Sequence, residues 1–69
     1  MIDKQKVAEI ASQMSSQEIL EEINYWNDST KYWQEVLNYA DLSIAKDAIA
    51  NNLETKEVLS QELCKKLDV

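Results

Sequence analysis

Two sets of side chains in this chain are of types that do acid–base, metal or thiol chemistry. Glu18, Glu21 and Glu22 place three carboxylates within five residues, close enough on a helix to be imagined around a cation. Helical carboxylate metal sites pair Glu with a His three residues on, and the sequence contains no His. The three acids are therefore expected to form a solvated face, with no metal and no cofactor. Cys64 is the single cysteine. It has no imidazole to act as its base and no second thiol to bridge within the chain. With Leu63 and Leu67 beside it in a helical pattern, it is expected to be a small packing residue. Gly is absent, so no glycine-rich loop can cradle a phosphate. These residues predict a protein that is not an enzyme.

A third set has the chemistry of contact rather than of reaction. Residues 24 to 44 align as three sevens, NYWNDST, KYWQEVL and NYADLSI, so that Tyr25, Tyr32 and Tyr39 recur at every seventh position with Trp26 and Trp33 beside the first two. Seven residues are close to two turns of an α-helix, and each set should run as a stripe along one side of a rod. A Trp, Leu and Ile stripe at this spacing is the usual signature of a core. Tyr beside it packs its ring while its hydroxyl stays wet, as a solvated margin or as a contact surface. Tyr25, Tyr32, Tyr39, Trp26 and Trp33 are the candidate partner-binding residues.

Charge is distributed unevenly along the chain. The whole net charge of −6 lies between residues 16 and 54, where eight carboxylates face only Lys31 and Lys46. Glu21, Asp28 and Glu35, seven apart, form an acidic row on the face away from the Trp seam. Every basic residue is Lys, so no planar guanidinium is available for bidentate contact with guanine or phosphate. An acidic chain also gains nothing from counterion release on a nucleic-acid backbone, and direct binding of DNA or RNA is not expected. One pattern points the other way. Ala48, Asn52, Leu53 and Val58 have the spacing of a helix-turn-helix, with Asn52 where Gly is usual, but the would-be reading helix mixes Glu54, Glu57 and Glu62 with Lys56, Lys65 and Lys66.

These side chains must be positioned by helices. The chain has 69 residues, with neither Gly nor Pro, and so lacks the turn punctuation of all-β folds. It is read as one helical domain over residues 1–69, an all-α small helical bundle. Asp3 can cap a first helix over about 3–14, with Ile2 and Val7 spaced as a hydrophobic staple. Ser15 with Glu18 is a capping box, flanked by Met14 and Ile19 as a second staple, and a new helix should start at Ser16.

From there Ile19, Ile23, Trp26, Thr30, Trp33, Leu37, Ala40 and Ile44 alternate steps of four and three, so one long central helix is expected over 16–51. Asn27-Asp28-Ser29-Thr30 is four weak helix formers in a row, and a break at 27–30 would give a four-helix arrangement instead. Asn51-Asn52 is read as the helix end and Thr55 as the cap of a third helix over 55–67.

A domain this small removes only roughly 60% of its unfolded surface from water, and a rod of 36 residues would outrun its two short companions. A homodimer through the long helices is therefore expected. No apolar run exceeds three residues, which argues against a membrane span or signal segment and for a cytoplasmic protein complete in itself. The sequence then favours a non-catalytic protein–protein interaction module, an acidic helical adaptor or inhibitor that binds a larger protein through its aromatic helix surface. The alternatives are an acidic DNA mimic that blocks a nucleic-acid-binding enzyme, and a helix-turn-helix-like DNA-binding regulator.

Overall fold

A computed structural model describes residues 2–67. It contains α1 (Lys4–Ser12), α2 (Ser16–Tyr39) and α3 (Ser43–Leu67), a small all-α bundle. Both expected N-termini form as the capping chemistry requires. The Asp3 carboxylate accepts from the Lys6 amide at 3.1 Å. At α2 the Glu18 amide donates to Ser15 Oγ at 3.1 Å and the Ser15 amide donates to Glu18 Oε1 at 2.9 Å, closing the reciprocal box. Two free first-turn amides are thereby satisfied at α2. Met14 and Ile19 meet in the core, as a staple should.

α2 runs without interruption through Asn27–Thr30. Its weak helix formers are turned to use. Thr30 is buried, and its hydroxyl bonds back to the Trp26 carbonyl at 2.8 Å. Ser29 Oγ accepts from Asn52 Nδ2 at 3.1 Å across the helix pair. Groups that would compete with the helical backbone in isolation are satisfied instead by the helix itself or by its neighbour.

The end of α2 differs from the expectation. The helix stops at Tyr39 rather than Asn51, Ala40 is extended at φ −151° and ψ 131°, and α3 begins at Ser43. Asn51-Asn52 is therefore no terminus, and Thr55 is no cap: both lie inside α3, where the Thr55 hydroxyl bonds back to the Asn51 carbonyl at 2.8 Å. The region expected as a separate third helix, 55–67, is the second half of α3. A physical reason follows from what each alternative covers. A rod continued to Asn51 would leave Trp33 and Leu37 facing water, whereas folding back lets α3 half-bury both. Ending a helix forgoes a few backbone hydrogen bonds worth about 0.5–1.5 kcal/mol net each. Burying a large apolar side chain gains about 1.5–3 kcal/mol, so the fold-back wins. Beyond the break, the last two members of the seam, Ala40 and Ile44, are exposed.

The short connection makes α2 and α3 antiparallel neighbours, within extents of 44 × 20 × 14 Å. α3 is the element on which both others pack, α2 along its length and α1 near its C-terminal half. The core sits at the α1 end, where Ala11, Ile19 and Leu59 are buried and Val7, Met14, Ile23, Trp26 and Leu63 close around them. Lys66, in the last turn of α3, donates from Nζ to the Ser12 carbonyl at 2.9 Å. A cation there satisfies an open carbonyl of α1 and suits the negative end of that helix. Cys64 is exposed, not packed as its pattern suggested, because α3 turns that side away from both partners.

Candidate functional site

The outer face of α2 is built by the same heptad that builds its inner face. Trp26 and Trp33 are half-buried, and Trp26 packs among core residues of α1 and α3. One residue earlier in each case, and so about 100° around the helix, stand Tyr25 and Tyr32, each 60% exposed, followed by Tyr39 at 91%. Each of the first two tyrosines is held by its neighbouring Trp. Tyr25 meets Trp26 edge to face with ring centres 4.9 Å apart and planes at 83°, and Tyr32 meets Trp33 at 5.2 Å and 81°. Such T-shaped pairs contribute about 0.5–1.5 kcal/mol beyond area burial, so the exposed rings are tied to the packed ones.

The candidate set thus divides in two. Trp26 and Trp33 serve the interior, and Trp26 belongs to the core cluster. Tyr25, Tyr32 and Tyr39 stand exposed to solvent. Glu21, Asp28 and Glu35 are also exposed, and they are not on a separate side from the tyrosines. Each carboxylate stands four residues before a Tyr, which places the two rows only about 40° apart around the helix. Along the axis the order is Glu21, Tyr25, Asp28, Tyr32, Glu35, Tyr39, acid and aromatic in turn.

The remaining acidic candidates do not form a site with these. Glu18 is taken up by the capping box, where the hydrogen bonds from the Ser15 amide and then the Ser15 hydroxyl hold its carboxyl below the ordinary value. Glu22 lies beside a cavity of about 200 Å³ between α1, α2 and α3, whose walls include Val7, Ile10, Met14, Trp26 and Leu59. That cavity offers apolar contact and little else, since the Thr55 hydroxyl on its wall already bonds to Asn51. The turn that a helix-turn-helix would need at Asn52 falls inside the continuous helix α3.

Sequence reasoning missed the polar seam between α2 and α3. Ser29 and Asn52 pair across the two helices, and Thr30 and Thr55, both buried, turn their hydroxyls back onto carbonyls of their own helices. A signal was present: the two polar clusters NDST and NNLET are placed symmetrically about residue 40. No protein-family model, curated protein or solved structure matches the chain.

Proposed function

We propose that this protein is a non-catalytic interaction module, a small acidic helical adaptor or inhibitor that seats a larger protein on the outer face of α2. The observation that carries the reading is the row of three exposed tyrosines, two of them held edge-on by half-buried Trp rings. Tyr suits a contact surface because it buries much area while losing little side-chain entropy, and pre-positioning reduces that loss further. Interface aromatics commonly contribute 2 kcal/mol or more each. Replacing Tyr25 and Tyr39 together by Ala should therefore weaken capture of the partner by several kcal/mol while helicity by circular dichroism stays near the parent level. Undiminished capture by the double variant would remove the basis of the proposal.

A second reading, mimicry of a nucleic acid, draws on the exposed carboxylate row. Its carboxylates repeat only about every 10.5 Å, against one charge per ~1.7 Å of duplex DNA, which favours the aromatic reading. Self-association through the long helices, expected from the sequence, is not the favoured reading. α3 of the same chain half-buries Trp26 and Trp33, and a second copy laid on the Tyr face would set two acidic rows against each other.

A further inference from the structure

We propose that the outer face of α2 is a receptor for arginine side chains, and that its partner is a basic protein surface presenting arginines about 10 Å apart. This deepens the interaction reading above and rests on it. The stripe Glu21, Tyr25, Asp28, Tyr32, Glu35, Tyr39 advances by four, three, four, three and four residues, the same alternation as the buried seam, but on the solvent side. It amounts to three stations, each a carboxylate with an aromatic ring one turn on. All six side chains are exposed. Both ion pairs recorded among the described residues, Lys46–Asp41 and Lys65–Glu62, lie outside the stripe. Lys31, one turn from Asp28 and from Glu35, flanks the acidic row on the side away from the tyrosines.

The interleaving decides the chemistry of the occupant. An apolar partner covering the tyrosines would also cover carboxylates about 40° away, leaving buried charges without counter-ions, which is strongly unfavourable. A polyphosphate or an anionic lipid surface would be repelled by a chain of net charge −6. A cation satisfies both rows at once. Among cations, the guanidinium is favoured over the ammonium: it is planar, forks onto a carboxylate, stacks on an aromatic face and is more weakly hydrated. A partner helix lying alongside α2 with Arg at every seventh residue would match the three stations in step.

The test uses the full chain and two alanine-based helical peptides carrying three basic residues at seven-residue spacing, all Arg in one and all Lys in the other. Isothermal titration at low salt should give at least tenfold tighter binding for the Arg peptide. The triple variant E21Q, D28N, E35Q should lose at least tenfold in affinity for it. The triple variant Y25L, Y32L, Y39L, whose changes are all at exposed positions, should lose at least fivefold and no longer prefer Arg, with helicity followed by circular dichroism. Equal affinity for the two peptides, unaffected by the Tyr changes, would mean that the acids act as a plain polyanion and would overturn the inference. Failure here is separable from failure of the interaction reading. A captured partner lost on changing the tyrosines but indifferent to neutralising the acids would sink the arginine proposal and leave the interaction module standing; a partner indifferent to both sets would sink both.

Discussion

Asn52 donates from Nδ2 to Ser29 Oγ at 3.1 Å, joining the middles of α2 and α3 across 23 residues of sequence. Asn52 is buried and Ser29 half-buried, so the pair fixes which turn of one helix faces which turn of the other. It also holds the outer face of α2 in a fixed relation to the core. Removing either partner leaves the other's polar group without its bond in a half-dry seam, at a cost of about 1–2 kcal/mol. Ser29→Ala and Asn52→Ala should each destabilise by that amount in urea unfolding. The double variant should cost less than the sum by about 0.5–1 kcal/mol, since contacting residues couple. Strict additivity would show that the bond contributes nothing in solution.

The two stripes of α2 should separate cleanly under substitution. Trp26→Ala removes a ring from the core cluster and should cost about 3–5 kcal/mol. Trp33→Ala, half-buried and away from that cluster, should cost less. Tyr32→Ala should cost about 1 kcal/mol, chiefly its edge contact with Trp33. Urea midpoints in the reverse order would mean that the buried seam follows the tyrosines.

The Glu18 carboxyl titrates below its ordinary value because the Ser15 amide, and next the Ser15 hydroxyl, hydrogen-bond to it. A carboxyl whose folded pKa lies below its unfolded one contributes stability above the unfolded value. That contribution is lost as pH falls through the folded value. Acidification through the carboxylate range should therefore destabilise the parent more than Glu18→Gln, in thermal unfolding at matched ionic strength. Identical pH profiles for the two would show that the box does not hold the ionised form.

Light scattering at micromolar concentration and low salt should return the mass of one chain, because α3 half-buries Trp26 and Trp33 and a second copy on the Tyr face would oppose two acidic rows. Twice that mass, reverting to one chain when Tyr25, Tyr32 and Tyr39 are replaced by Leu, would show that a second copy occupies the Tyr face despite the opposed acidic rows.

What was legible in the sequence follows the range of the interactions involved. The starts of α1 and α2 were readable because Asp3 and the Ser15–Glu18 box act within three residues. That Tyr25, Tyr32 and Tyr39 form one stripe beside a Trp seam was readable from period alone, whereas the exposure of their rings was not. The end of α2 was not, because neither Gly nor Pro marks it and the apolar phase runs on through Ala40 and Ile44. There the outcome depends on residues 43–54 packing back onto 26–37, a long-range gain that no local signal records. Asn51-Asn52 misled for the same reason. Asn is a fair helix terminator when its side chain must find a local partner, and Asn52 finds Ser29 instead. The kinship of the acidic row with the tyrosines was open to inspection in the sequence, as a spacing of four, but it takes on meaning only once the opposite side of α2 is known to be covered.

The central claim, that a partner protein is held on the outer face of α2, is most directly tested by site-directed photo-crosslinking in lysate. A photoreactive aromatic residue replaces Tyr32 in one preparation and Leu53, exposed on α3, in another. The account predicts a discrete adduct from position 32 that is competed away by unlabelled protein, and none from position 53. An adduct from position 53 with none from position 32 would contradict it and move the working surface to α3.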